Sequence, residues 1–303
     1  MSLPVFRAVG ATYAFFFGNF LRILRVTWLP TLIIAGFAAW NTQLALNLLR
    51  YPFVASVHVE ASKAALDAVN AAAPLIKWSL AFRLIEIVLL AIVSVGLVRP
   101  IVRGDWPRGI FYLGFGLDEL RVLLARFMAY VLFFAAYFGS AIVVVLLLLL
   151  AGALNKYAGV ALLGLGVAAV VVVLIWITLR MFLIAPASVS ERSIGFLSSW
   201  AVTERHSWQL LALVVLVGAP LVILALILLC AVFWAELPTI LPQMREILSN
   251  PDVMPMRFSS GPVLALVTPV AVAIGVVEWL MIVLLTIASG FAYRLLTKGA
   301  SEA

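Results

Sequence analysis

The stretch VALLGLGVAAVVVVLIWITLRMFL, residues 160–183, contains one charged side chain, Arg180, close to its end. An apolar run of about 20 residues, wound as a helix, matches the thickness of the hydrocarbon core of a bilayer. The run therefore reads as a membrane-spanning helix. Working outward in both directions, residues 28–49, 75–98, 127–149, 210–234 and 263–293 have similar length and apolar character. Hydrophobic residues make up 66% of the chain, charged residues 11%, and the mean hydropathy is +1.21. A soluble domain of this length carries roughly a quarter charged residues, so the main solvent of this chain is lipid. The expected fold is all-α: a polytopic membrane helical bundle of six transmembrane helices, forming a single integral membrane domain over residues 1–303. The last span is long enough to tilt or project, and Pro269 is expected to kink it.

The net charge of +7 does not point to nucleic acid, because the basic residues are ordered by topology. Arg7, Arg22 and Arg25 precede the first span; Arg99, Arg103, Arg108, Arg121 and Arg126 lie between the second and third. Arg180, Arg192 and Arg205 fall between the fourth and fifth, and Arg294 and Lys298 follow the sixth. The opposite connections hold only Arg50, Lys63, Lys77, Lys156, Arg245 and Arg257. Positive residues stay on the cytoplasmic side of a membrane, so both termini are expected in the cytoplasm of a bacterial cell, with the protein in its inner membrane. The same excess attracts anionic lipid heads. Membrane lipids are the expected partners, together with an envelope protein.

Residues 4–25 repeat aromatic and aliphatic side chains at helical spacing (Phe6, Val9, Tyr13, Phe16, Phe17, Phe20, Leu24), with Arg7, Thr12, Asn19 and Arg22 largely off that face. This pattern predicts an amphipathic helix lying in the interface, and nothing in it has the order of a signal peptide. The segments NFLRILR, DELRVLLAR and HSWQLLAL precede the first, third and fifth spans. One reading is a threefold repeat of an interfacial helix followed by a transmembrane hairpin. The connection of residues 236–262, with five prolines, reads as a punctuated loop with one short helix near 243–248. The lone Cys230 excludes an internal disulfide.

Soluble-enzyme chemistry has no foothold in the sequence. HExxH, CxxC, the phosphate-binding Walker loop and GxSxG are missing, and Gly114–Gly116 is an isolated GxG. His58 and His206 fall on opposite sides in the expected topology and cannot share a metal. No catalytic residue, metal site or cofactor is expected. Asp118 and Glu119 read as a helix start, where carboxylates complement the N-terminal dipole.

One cytoplasmic connection, LRMFLIAPASVSERSIGFLSSWAVTERHSWQLL over residues 179–211, gathers Glu, Arg, His, Ser and Thr. Pro186 is expected to mark the exit of the fourth span, and Glu191–Arg192 to start a short helix. The pattern of Arg180, Leu183, Pro186, Glu191, Ser199, Trp200, Thr203 and Trp208 resembles a signature of bacterial inner-membrane proteins related to the YciC family and to the glycerophosphoryl diester phosphodiesterase membrane domain. YLGFGLDELRVLL, residues 112–124, is similar to an earlier connection in the same group. The resemblance implies a multi-helix inner-membrane protein without an assigned reaction, and relatives with Gly near His206 argue against a catalytic imidazole. On physical grounds the tryptophans anchor the interface, so the stretch is read as structural.

Within the spans, Arg83, Glu86 and Glu278 form the candidate intramembrane polar cluster. An ionised group at the bilayer centre costs roughly 2.5–3.5 kcal/mol on insertion scales, so Arg83 is expected to face Glu86, Glu278 or both. Three functions follow. The first is a non-enzymatic protein of membrane organisation or an envelope complex. The second is a small transporter of a lipid-like substrate using the charged cluster. The third is an intramembrane lipid-modifying enzyme using the polar connection.

Overall fold

A computed structural model of the chain describes residues 3–55, 61–107, 112–152, 156–249 and 262–298. Regular structure among them is helical, without a strand. In chain order the helices are α1 (Val5–Gly18), α2 (Phe20–Ala55), α3 (Ala61–Val102), α4 (Leu117–Gly152), α5 (Lys156–Met181), α6 (Ile184–Glu191), α7 (Phe196–Thr203), α8 (Ser207–Ser249) and α9 (Pro262–Lys298). Six of those described are long and apolar enough to cross a membrane: their apolar segments are Phe20–Phe37, Ala81–Val102, Leu117–Ala151, Tyr157–Glu191, Ser207–Val232 and Val272–Thr297. The reason is elementary. In hydrocarbon each backbone N–H and C=O must find its partner within the chain, and a helix does so locally.

Helix boundaries depart from the sequence reading where short-range chemistry decides them. The single helix expected over residues 4–25 is divided at Asn19, whose φ of −126° and ψ of 20° leave the helical region. Its side-chain amide donates to the Phe15 carbonyl at 3.1 Å and its backbone N–H to the same oxygen at 3.0 Å. The residues that follow belong instead to α2. Residues 236–249 are likewise not a loop: α8 continues through Pro238 and Pro242 to Ser249. Prolines remove individual hydrogen bonds without ending the helix, the price being a local loss of ladder bonding. The Ala-rich segment opens α3, which runs on through Pro74. At 36 to 43 residues, α2, α3, α8 and α9 are each longer than a hydrocarbon core of about 30 Å requires.

The α5–α6 break is also displaced. Phe182 bonds back three residues to Leu179 at 3.2 Å, tightening the last turn, and α6 starts at Ile184. Pro186 thus lies in the first turn of a new helix, where its missing N–H has no intrahelical partner to lose. Glu191–Arg192 end a helix rather than start one: Arg192 adopts φ 53°, the left-handed cap that reverses the chain into α7. A left-handed glycine, Gly104 at φ 82°, closes α3 in the same way.

The chain divides into two compact units. The first contains Met1–Val26, Leu90–Val217 and Leu284–Ala303; the second contains Thr27–Leu89 and Gly218–Val283. By sequence the first unit has fourteen Lys and Arg against six Asp and Glu, a net +8, and the second has six against seven, a net −1. Charge is therefore segregated between units. In the first, Ala91, Val95 and Val98 of α3 line one helical face and pack with Val122 of α4 and Ala185 and Val189 of α6. The α4–α5 hairpin closes on glycines. A methyl added at Gly166 would meet Leu147 Cδ1 and one at Gly159 the Ala151 carbonyl, so both crossings use the close approach that small residues allow.

Gly195 offers the sharpest packing test. It caps α7 through its carbonyl and its N–H donates to Ser188 Oγ at 3.0 Å, while an added Cβ would lie 2.4 Å from the Ser188 backbone nitrogen. Gly195→Ala is expected to destabilise the purified protein by about 1–3 kcal/mol. Gly10→Ala, with nothing near its Cβ, should leave the melting temperature unchanged or raise it slightly. Equal melting temperatures for the two variants would refute the packing at α6–α7.

Candidate functional site

Arg180, the last residue but one of α5, is buried. Its guanidinium lies 4.9 Å from the Trp176 ring and 5.4 Å from the Trp200 ring, and the two indoles meet edge-on at 5.3 Å. Nη1 donates to the Trp200 carbonyl at 3.1 Å, and Ser199 Oγ donates in return to the Arg180 carbonyl at 2.7 Å. Thr203 Oγ1 bonds to the Ser199 carbonyl at 2.8 Å and the Trp200 carbonyl at 3.1 Å. These contacts clamp α5 to α7. Leu183 and Pro186 are buried beneath the break between α5 and α6.

Glu191 joins more distant parts of the chain. Its Oε2 accepts from Ser198 Oγ at 2.5 Å, and its Oε1 from the Tyr293 hydroxyl of α9 at 2.9 Å. His206 Nδ1 donates to the Val202 carbonyl at 3.1 Å, one turn back along the chain. Trp208 stands apart from these contacts, 79% exposed. The signature residues thus divide into an internal brace and an outward-facing indole. His58 lies outside the described residues.

In the second unit, Arg83 Nη1 contacts Glu86 Oε2 at 2.7 Å, an i,i+3 pair on α3. The arginine side chain is 73% exposed and the glutamate 24%. Glu278 is exposed on α9, and among the described contacts none joins it to Arg83. Its neighbour Trp279 donates from Nε1 to Thr27 Oγ1 of α2 at 3.0 Å. Arg83 and Glu86 occupy the first two turns of the apolar segment Ala81–Val102, and Glu278 the second turn of Val272–Thr297. Both helices begin well before these segments, at Ala61 and Pro262, so the charges lie inside longer helices.

The densest polar constellation escaped the sequence reading. Asp118 receives three arginines: Arg99 Nη2 at 3.0 Å and Arg103 Nη1 at 2.7 Å on Oδ2, and Arg121 Nη1 at 3.0 Å on Oδ1. Arg103 Nη2 also donates to the Val189 carbonyl of α6. Glu119 stands 3.5 Å from Arg99 and accepts the Gly116 N–H at 2.9 Å, reaching back to the cap of α4. Tyr112 donates its hydroxyl to the other oxygen of Glu119, and burial followed by this bond pushes the phenol up from its ordinary range. It remains a donor at neutral pH. The available sequence signal was the pair Arg99 and Arg103, four apart on one helical face, followed by an acidic pair and Arg121. What the pattern lacked was any statement that the ends of α3 and α4 meet.

The described structure defines an all-α polytopic membrane protein. Comparisons with protein families, curated proteins and solved structures give no match for the chain.

The two kinds of tryptophan separate experimentally. Trp200→Ala is expected to cost about 3 kcal/mol of stability, since it removes an indole packed on Arg180, whereas Trp208→Ala should hardly shift the melting temperature in detergent. Asp118→Asn should cost about 2–3 kcal/mol by leaving three guanidiniums around a neutral amide. Thermal unfolding of the three variants checks the ranking; a stable Asp118→Asn would remove Asp118 from its central place.

Proposed function

We propose that the protein is a non-enzymatic polytopic protein of the bacterial inner membrane that organises the membrane or an envelope complex. The supporting observation is the use made of the polar signature: Arg180, Glu191, Ser199 and Thr203 are bonded to the chain's own backbone and side chains. A catalytic centre needs groups converging on a space where a reacting atom can sit, and these converge on one another. The resemblance to the YciC-related proteins, carried by Arg180 through Trp208, agrees with an inner-membrane location. The excess of Arg and Lys at the ends of the chain and in the two connections assigned to the same side supports cytoplasmic N- and C-termini.

A second reading, a small transporter of a lipid-like or amphipathic substrate, draws on the exposed Glu278 carboxylate of α9 and the Arg83–Glu86 pair of α3. The lipid-modifying enzyme has less support, because His206 Nδ1 is engaged with backbone.

Affinity purification in mild detergent, followed by mass spectrometry, tests the organising role. A reproducible envelope protein in the eluate supports it. Substrate uptake by proteoliposomes of the pure protein, abolished by Glu278→Gln at normal protein level, would replace it with the transporter. For topology, Ser249→Cys should react with an impermeant thiol reagent added to spheroplasts, in a background where Cys230 is replaced by Ala. Ser301→Cys should not. The opposite pattern would invert the orientation.

A further inference from the structure

Three arginines around one carboxylate are more than a brace needs. Asp118 and Glu119 are buried, with side chains 10% and 3% exposed, while Arg99, Arg103 and Arg121 keep 25%, 22% and 28%. The acids are thus more deeply buried than the arginines around them. Each arginine contacts Asp118 through a single terminal nitrogen, and a guanidinium has five N–H donors in a planar fork suited to phosphate oxygens. Three cations against two carboxylates leave the cluster with a charge of +1. Arg99 Nε is buried without a hydrogen-bond partner, so the constellation is under-satisfied as it stands.

A fourth arginine, partly buried, stands in the same unit. Arg126, two turns further along α4, donates to Ser94 Oγ of α3, a neutral hydroxyl that in turn donates to the Leu90 carbonyl at 2.7 Å. No carboxylate contacts Arg126 among the described residues. Beside the cluster the chain exposes Leu113 (45%), Phe115 (56%) and Leu117 (68%). Apolar side chains next to a cationic surface suit the boundary between headgroups and acyl chains, where a phosphate and the start of its chains are presented together.

We propose that Arg99, Arg103 and Arg121, held by Asp118, form a binding site for the phosphate of an anionic phospholipid headgroup. Asp118 preorganises the guanidiniums, and the phosphate takes the N–H edges left open. Leu113, Phe115 and Leu117 lie against the glycerol and upper acyl region. Arg126 adds positive potential from the deeper turn. The site deepens the membrane-organising reading and rests on it, by naming the class of lipid held. Its test is independent of that reading, because binding to the pure protein is measured whatever assembly the chain serves.

The experiment uses the full chain in neutral detergent, titrated with mixed micelles of phosphatidylglycerol, with phosphatidylcholine at equal mole fraction, and with inorganic phosphate. Melting temperature is followed at each addition. Phosphatidylglycerol alone should raise it. Arg121→Gln should weaken the apparent affinity about tenfold, the loss of one charge-assisted contact, with a lipid-free melting temperature near that of the parent. Arg205→Gln, an exposed arginine away from the cluster, should respond as the parent does. Equal responses of parent and Arg121→Gln would overturn the site, as would an equal loss in Arg205→Gln or an equal effect of phosphatidylcholine. The same shift with inorganic phosphate would identify a free-anion site and overturn the lipid assignment. If Arg121→Gln does not fold, native mass spectrometry of the parent decides: one retained phosphatidylglycerol with phosphatidylcholine lost supports the site, and no retained lipid overturns it.

Discussion

Asp118 and Glu119 lie in the part of α4 that, among the described residues, is held by more than its hairpin partner. Asp118, Glu119, Val122 and Ala125 are buried in the first turns, yet none of residues 127–151 is buried. Along α5, between Tyr157 and Trp176, Gly159 is the sole buried residue described. The hairpin is therefore a pair of helices packed on each other and otherwise apolar on every side, as lipid contact allows. Its attachment to the rest of the first unit is concentrated at its base. There, Asp118 ties α4 to Arg99 and Arg103 at the end of α3, Arg103 reaches α6, and Arg180 ties α5 to α7. Ionic contacts at the water-facing ends fix helices whose apolar faces carry little packing information of their own. Between membrane helices there is no hydrophobic preference for protein over lipid tails, so polar contacts and close small-residue crossings must supply the specificity.

This division of labour explains what could be read from the sequence. Six apolar segments were legible because crossing a bilayer is a demand on composition and length alone. Helix ends were not, because they depend on single side chains: Asn19 divides the first helix through its own amide, and Arg192 takes a left-handed cap that no pattern of hydrophobicity marks. Pro238 and Pro242 misled for a related reason, while residues 250–261 of the same expected loop lie outside the described residues. Proline disfavours helix locally, but α8 is already nucleated and extended by its long apolar segment, and continuing an existing helix is easier than starting one. The arginine cluster was invisible for another cause, since its members come from two helices separated by a loop.

The polar stretch around Glu191–Trp208 shows how the pairing of helix ends gathers polar side chains. Helices that end at the membrane boundary expose carbonyls in their last turns and N–H groups in their first. Ser199 answers the Arg180 carbonyl, Ser188 the Gly195 N–H, and Glu191 draws in Ser198 and Tyr293. Hydroxyls and one carboxylate do this work at the junction of four short or ending elements. Such a junction needs Ser, Thr, Glu and Arg for the same reason an active site does, because buried polar groups must be paired. Only the direction in which the groups converge distinguishes the two.

The charges in the longer helices can be weighed by the same geometry. Arg83 and Arg99 are sixteen residues apart on α3, and Glu278 and Arg294 are sixteen apart on α9, each about 24 Å of helix. If Arg99 marks headgroup depth, as the proposed lipid site requires, Arg83 falls several ångströms short of the opposite boundary of a core about 30 Å thick, and Glu278 does so if Arg294 lies at the same depth. A long side chain can cover that remainder by extending towards water. The cost of ionising there is well below that at the bilayer midplane, and Arg83 lowers it further by pairing with Glu86. A proton relay needs carboxylates held deep enough that protonation competes with ionisation. Charges this close to a boundary do not meet that condition by depth alone. The depth of the exposed Glu278 is thus what separates a side chain that sets the register of α9 from one on a transport path.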